Sequence, residues 1–241
     1  MPRFAITFLT MISLVRVAVA QQCPGLHVFA AAPTQFGTSL LSSAAVRSPS
    51  PPAQSPLRKQ GMWAGNPSKF FAGAFAAFLG HEAGHLITNW SIGTDPYLMG
   101  VHYGPIPFFT IQPGKPLTNR QHYVTASAGF NAENIIDEWL LTTHPRLSQE
   151  DKPFLKGVAS FNFWCNVGYA ATAFAQSGPD ERDTKGMADS LGCSEAWVGA
   201  MILVPTALDT YRYKHPDSKW APTASRITKL AMIFLAAAAR D

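Results

Sequence analysis

The pentapeptide His81-Glu82-Ala83-Gly84-His85 is the feature that most constrains how this chain can fold. On an α-helix, residues four positions apart project from the same face, so His81 and His85 would direct two imidazoles at one point. Two imidazoles in this arrangement supply two of the ligands that a tetrahedral zinc ion needs. Glu82 lies further round the helix and could act as a general base on a water molecule. We therefore predict a helix that carries a zinc site with Glu82 as its catalytic residue.

The residues around this motif favour metal binding over an exposed, metal-free HExxH on an ordinary helix. Phe70–Leu79 precedes the motif and Leu86–Trp90 follows it, and both stretches are almost free of charge. Two histidines and a glutamate are costly to bury in an apolar helix unless something satisfies them. We expect Zn²⁺ to be that partner.

A third protein ligand is required, and two carboxylates are candidates. Asp209 is a lone carboxylate at the end of an apolar helix, where its alternative role is an ion pair with Arg212. Glu133 lies four residues before Asp137 on a predicted helix, so Asp137 could support it by hydrogen bonding. The alternative for Glu133 is a solvated acidic face shared with Glu138. The residues by themselves leave this choice open.

The chain before the motif differs from the rest in charge and composition. Residues 1–81 contain no Asp or Glu, so the net charge of +4 originates there. Residues 1–20 are predicted to be a signal peptide or an N-terminal anchor, because small residues at Ala18 and Ala20 suit a cleavage site. Residues 21–66 are rich in Pro and Ser and are predicted to be a flexible linker. No basic patch with interleaved aromatic residues is present, which argues against nucleic acid as a partner.

Residues 67–241 are predicted to form one mainly α-helical domain, a membrane-embedded bundle of about five helices. The helices are expected near residues 69–90, 120–143, 153–176, 194–213 and 224–240. Short strands are expected at Tyr97–Val101 and Pro107–Ile111, directly after the HExxH helix. A bilayer span needs about 20 apolar residues, and three of the helices approach that length. The predicted location is a membrane or the cell envelope.

The predicted membrane topology contains a conflict. The distribution of Lys and Arg between loops places one set of loops inside, whereas a cleaved leader would place the other set inside. A soluble helical domain in an envelope compartment would remove this conflict, and it is kept as an alternative.

Several segments resemble, in order, the site-2 protease family of membrane-embedded zinc metalloproteases. Gly80–His85 is similar to the first motif of that family, and Val101–Pro105 resembles the short β region that helps to bind substrate there. Ser127–Asn134 is similar to a small-residue helix ending in Asn, with Phe130 where the family has Pro. Leu208–Thr210 resembles a Leu-Asp-Gly motif, with Thr in place of Gly.

The resemblance implies a zinc-dependent metallopeptidase whose substrate is a peptide or a membrane protein. It assigns Glu82 as the base and suggests that Asn131 or Asn134 orients the oxyanion. It assigns zinc to His81, His85 and Asp209.

Other classes of protein fit parts of the sequence. The segment Glu133–Asp137 matches the Glu-x-x-x-Asp pattern of gluzincin metallopeptidases, which implies a soluble peptidase that uses Glu133 as third ligand. A non-catalytic helical envelope or membrane protein could keep a structural or vestigial metal site. A membrane scaffold could use the histidines for packing or partner binding. The sequence therefore favours an enzyme without deciding that the chain is one.

Overall fold

The computed structural model describes residues 66–103 and 106–239. The predicted leader at residues 1–20 and nearly all of the predicted linker at residues 21–66 lie outside the described residues. The described part of the chain is mainly helical, with one two-stranded sheet directly after the HExxH helix. Both of these predictions are confirmed.

Seven α-helices and a hairpin make up the described fold. The helices are α1 (Pro67–Ser91), α2 (Asn119–Ala126), α3 (Ala128–Thr143), α4 (Pro153–Ala175), α5 (Asp183–Leu191), α6 (Glu195–Lys214) and α7 (Ala221–Phe234). The strands β1 (Tyr97–Tyr103) and β2 (Ile106–Gln112) pair antiparallel, with Tyr97 opposite Gln112. Short 3-10 segments lie at Leu147–Gln149 and Leu235–Ala237.

Helix α1, which carries the HExxH motif, packs most extensively against α4. The helix begins where the Asn66 side chain accepts a hydrogen bond from the Lys69 amide at 3.3 Å, with Pro67 in the first turn. Its crossing with α4 is close because Gly73 lies against the backbone of Phe154, where a Cβ atom would overlap a carbonyl oxygen. The long, apolar α1 is thereby fixed against α4 along one face.

The predicted helix at residues 120–143 is divided at Ser127 into α2 and α3. Thr118 and Gln121 form a reciprocal capping box at the start of α2. The Ser127 amide still donates to the Tyr123 carbonyl at 2.9 Å, and the Ser127 carbonyl accepts from the Asn131 amide at 2.9 Å. The two helices therefore follow each other with continuous backbone hydrogen bonding.

Helix α5 is absent from the sequence prediction, and α7 begins and ends earlier than expected. Helix α5 has only 9 residues and ends at Gly192, which adopts a positive φ of 63°. A helix this short is marginal in isolation, so its stability depends on packing rather than on its own sequence pattern. That packing comes from α2 and α6, which both contact α5.

The main hydrophobic core lies where α2, α3, α5 and α6 meet. The Tyr123 side chain is fully buried there, and its hydroxyl donates to the Met232 carbonyl at 2.7 Å. The largest other buried members are Phe130, Met187, Leu191, Val198, Ile202 and Met232. This core holds the start of α5 in a fixed position relative to α2 and α3.

The expectation of membrane embedding is not supported by the helices that the structure describes. None of them alone has both the length and the apolarity of a bilayer span. Only α5 and α6 taken together pass such a test, and the chain bends by 114° between them.

Candidate metal centre

His81 and His85 lie on the buried face of α1, and a hydrogen bond at the Nδ1 atom fixes each ring. The Nδ1 atom of His85 lies 2.9 Å from the Thr125 carbonyl oxygen, and that of His81 lies 2.8 Å from Glu133 Oε1. Both oxygens accept, so each Nδ1 carries a proton, and each Nε2 is the ring atom that would offer a lone pair to a bound metal. The two Nε2 atoms face each other at 3.2 Å. This is the ring orientation that two zinc-binding histidines require.

Asp183, the first residue of α5, completes a group of three ligand atoms. Its Oδ2 atom lies 3.2 Å from the Nε2 atom of His81 and 3.2 Å from that of His85. Tetrahedral zinc with bonds of about 2.0–2.1 Å separates its ligand atoms by about 3.3 Å. Two imidazoles and one carboxylate also match the donor set of catalytic zinc sites. The three residues therefore fit a zinc ion in both spacing and chemistry.

Glu195, on α6, fixes the chain on both sides of Asp183. Its Oε1 atom accepts from Arg182 Nε at 2.6 Å and from the Thr184 hydroxyl at 2.6 Å. Arg182 also donates to the Pro179 carbonyl at 2.8 Å. The carboxylate that faces the histidines is thus held in place by a buried ion pair.

Glu133 has a supporting role behind His81. Its side chain is 1% exposed, and its Oε2 atom accepts from Asn166 Nδ2 at 2.7 Å. A carboxylate on the far nitrogen of a metal-binding histidine fixes the ring and raises its basicity. His81, Glu133 and Cys165 also form a second group whose ligand atoms lie within 4.8 Å of one another.

The protonation behaviour of the cluster indicates that it stabilises positive charge. Burial lowers the pKa of His81, but hydrogen bonds to Asp183, Cys165 and Glu133 together raise that pKa well above its ordinary value. The pKa of His85 is also raised, because Asp183 outweighs the effect of burial. Burial opposes ionisation of Asp183, yet the two imidazoles hold its pKa well below its usual range. A metal cation would provide the positive charge for which this group is arranged.

Small residues allow α3 to approach the histidines closely. A Cβ atom on Gly129 would overlap the imidazole ring of His81, and one on Gly84 would press on the Ala128 carbonyl oxygen and the Ala132 side chain. The two glycines thus explain why the motif reads HEAGH and why a small-residue segment opens α3.

A cleft of about 380 Å³ opens onto two of the three ligand residues, His85 and Asp183. Glu82 lines it beside His85 and Asp183, and burial raises the pKa of Glu82 above its ordinary value. Tyr169, from α4, also lines the cleft, and its ring stacks on His81 at a centroid distance of 5.8 Å. The cleft therefore brings a carboxylate base and a phenol hydroxyl next to the candidate metal ligands.

Asp209, the predicted third ligand, is not brought together with the histidines and lies in a separate cluster of charged residues. Its Oδ2 atom lies 2.6 Å from Lys229 Nζ, and its Oδ1 atom lies 3.1 Å from Arg212. Asp209, Arg212 and Lys229 are all buried. Two buried cations need a counter-charge, and Asp209 supplies it. Its alternative role, the ion pair with Arg212, is the one that the fold uses.

The remaining site predictions also need revision. Neither Asn131 nor Asn134 lines the cleft: Asn131 donates to the Ser127 hydroxyl at 3.2 Å, and the Asn134 amide lies 3.8 Å from the Met232 sulfur. Asp137 accepts from Asn162 at 2.8 Å and does not support Glu133. Glu133 is buried against Nδ1 of His81, so it does not lie on a solvated face. It is also not one of the three facing ligand atoms, which belong to His81, His85 and Asp183.

Two residues of the site, Asp183 and Tyr169, are missing from the sequence prediction. An acidic residue opening a short segment that ends at Gly192 could have indicated helix α5. Nothing local indicates that the start of α5 reaches α1, since 98 residues separate Asp183 from His85.

Comparison with protein-family models, curated proteins and solved structures finds no match.

Proposed function

We propose that this chain is a zinc-dependent metallopeptidase that hydrolyses peptide bonds. The observation that carries the proposal is the group of His81 Nε2, His85 Nε2 and Asp183 Oδ2, each about 3.2 Å from the others. The group faces a cleft that is also lined by Glu82. This differs from the assignment by resemblance in one residue, Asp183 in place of Asp209.

Each residue around the cleft has a defined role in this proposal. Zinc, when bound, polarises a carbonyl oxygen and lowers the pKa of a water molecule to about 7. The Glu82 carboxylate takes the proton from the attacking water and delivers it to the leaving amine. Tyr169 packs on the His81 ring, while Glu133 and the Thr125 carbonyl hold the histidines by hydrogen bonds. The apolar walls of the cleft exclude bulk water and strengthen these interactions.

Metal content provides the first test. We expect about one zinc per chain by mass spectrometry of the purified protein, and its loss in His81→Ala. Asp183→Asn should lower zinc affinity by about 100-fold, because it removes the charge of a ligand. His144→Ala is a matched control, because His144 pairs with Glu150 away from the cleft. A metal-free protein whose stability does not respond to zinc would contradict the proposal.

Asp209→Asn distinguishes the two candidate third ligands. This variant should retain full zinc while losing about 3 kcal/mol of stability, because it removes one of the two carboxylates, Asp209 and Glu138, that neutralise buried Lys229 and Arg212. Loss of zinc in Asp209→Asn with retention in Asp183→Asn would reverse the ligand assignment.

Hydrolysis is tested with Glu82→Gln on an unfolded protein such as casein. The variant should bind zinc as the wild type does and lose measurable cleavage. If neither protein cleaves casein or any peptide while both carry zinc, the site is non-catalytic.

We also propose that the protein associates with a membrane surface. This finer proposal is supported by the outer face of α1, where large apolar side chains are exposed: Phe75, Leu79, Ile87 and Trp90. Contiguous apolar surface of this kind marks interaction sites. We expect the protein to float with phosphatidylcholine–phosphatidylglycerol vesicles in a density gradient, and Phe75→Ser with Leu79→Ser to reduce the floating fraction. Protein that stays at the bottom of the gradient would contradict membrane association.

A further inference from the structure

Two cavities, rather than one, meet at the candidate metal ligands. Besides the cleft of about 380 Å³, a second cavity of about 290 Å³ is lined by His85 and Asp183. Strand β2 borders both cavities, because Thr110 and Ile111 line each of them. The segment Glu181–Asp183 lies on the same boundary. A substrate that passes the ligand residues would therefore extend into both cavities.

The walls of the first cavity are mostly apolar. Val101 and Phe109 line it from the hairpin, and Trp164 and Tyr169 line it from α4. Its acidic residues are Glu82 and Asp183, which lie at the candidate site, and Glu181 on the boundary with the second cavity. A large aliphatic or aromatic side chain that enters this cavity removes its apolar surface from water, which is favourable.

The second cavity is polar and carries more carboxylates than cations. Asp180, Glu181 and Asp189 line it, and all three residues are exposed. Lys185 lies 3.2 Å from Asp189 and 4.0 Å from Asp180, so one cation is shared between two carboxylates. Arg182 contributes no free charge, because Glu195 binds it in a buried ion pair. The excess of negative charge at this end favours a cationic group.

We propose that the site cleaves peptides that carry a large apolar residue on one side of the scissile bond and Lys or Arg on the other. The apolar residue occupies the cleft beside Trp164 and Tyr169, and the basic residue occupies the cavity beside Asp180 and Glu181. This inference rests on the proposed peptidase function and adds a substrate class to it. The two cavities meet at His85 and Asp183, which line both of them, so one extended peptide could reach both.

A peptide library tests the proposal without a known substrate. The zinc-loaded protein is incubated with a mixed peptide library, and the cleavage sites are identified by mass spectrometry. We expect apolar residues to be enriched on one side and Lys or Arg on the other. Matched peptides that differ only in Lys against Glu should differ about fivefold in kcat/KM, less in 0.5 M salt because exposed charges are screened.

A charge variant identifies the second cavity as the source of this preference. Asp180→Asn combined with Asp189→Asn, two residues that line the second cavity and not the first, should remove most of the preference for Lys over Glu, with zinc content and thermal midpoint unchanged. The control is Asp217→Asn, an exposed aspartate that pairs with Arg146 away from both cavities. This variant should keep the preference.

The possible failures are distinguishable. Cleavage without a basic preference, or with a preference that survives in the double variant, overturns this inference and leaves the peptidase function intact. A fully zinc-loaded protein that cleaves no peptide in the library overturns the proposed function, and the substrate class with it.

Discussion

Glu138 shows how a single carboxylate joins three helices. From its place on α3 it accepts from Arg212 on α6 at 2.6 Å and from Arg226 on α7 at 2.8 Å. Lys229, also on α7, lies 3.4 Å away. Burial opposes its ionisation, but the hydrogen bonds from Arg212, Arg226 and Thr142 lower the pKa of Glu138 to about 2. The negative charge of this residue is therefore part of what holds α6 and α7 against α3.

The lowered pKa of Glu138 makes stability depend on pH with a defined sign. The folded protein binds the Glu138 proton more weakly than the unfolded chain does, so its contribution is complete above the unfolded pKa of 4.5 and is lost as the pH falls towards about 2. Glu138→Gln should cost about 1–2 kcal/mol at pH 7, after allowing for partial solvent screening. The difference between variant and wild type should shrink in urea unfolding at pH 3.

The exposed pair of Asp217 and Arg146 provides the comparison for this measurement. Its side chains are 83% and 46% exposed, so Asp217→Asn should change the free energy of unfolding by less than about 1 kcal/mol at either pH. A Glu138→Gln effect of equal size at pH 7 and pH 3 would show that the charge of Glu138 is not the cause.

At the scale of elements, the close crossing of α3 over α1 determines the geometry of the candidate site. Gly129 brings the first turn of α3 against the His81 ring, and Glu133, one turn later, reaches the Nδ1 atom of the same ring. The spacing of four residues between Gly129 and Glu133 places both on one face of α3. One helix face thus supplies both the space for the imidazole and its hydrogen-bond acceptor.

Gly129→Ala should therefore weaken zinc binding although alanine is the better helix former. The added methyl group displaces His81, and we expect zinc affinity to fall at least about tenfold by competition with a chelator. Gly168→Ala in α4 is the matched control, because an added Cβ there has no neighbour within 4 Å. That variant should keep its zinc and gain up to about 1 kcal/mol of stability. Wild-type zinc affinity in Gly129→Ala would contradict the role assigned to this crossing.

At the scale of the whole molecule, the site is assembled from residues far apart in the chain. The helix α1 contributes Glu82 and both histidines, α3 contributes Glu133, and α5 contributes Asp183. The hairpin borders the resulting cleft through Phe109 and Thr110. The core around Tyr123 and Phe130 packs α2, α3, α5 and α6 together and so fixes the distance between Asp183 and α1.

Most of the helices, the hairpin and the two histidines of the site follow from local sequence. The period of the α-helix places His81 and His85 on one face whatever surrounds them, and long apolar stretches between Pro and Gly predict most of the helices. The hairpin after α1 follows from its extended, turn-flanked composition. These features were predictable because each depends on residues close together in the chain.

Which carboxylate lies beside the two histidines depends on the packing of distant helices. Asp183, Asp209 and Glu133 are all carboxylates on helices, and nothing local distinguishes a metal ligand from the counter-ion of a buried lysine or the support of an imidazole. The choice depends on which helix packs against α1 and on the ion pair of Glu195 that fixes Asp183. Helix α5 is stabilised by packing rather than by the helix propensity of its sequence. The local sequence therefore predicts neither this helix nor the position of Asp183 beside the histidines.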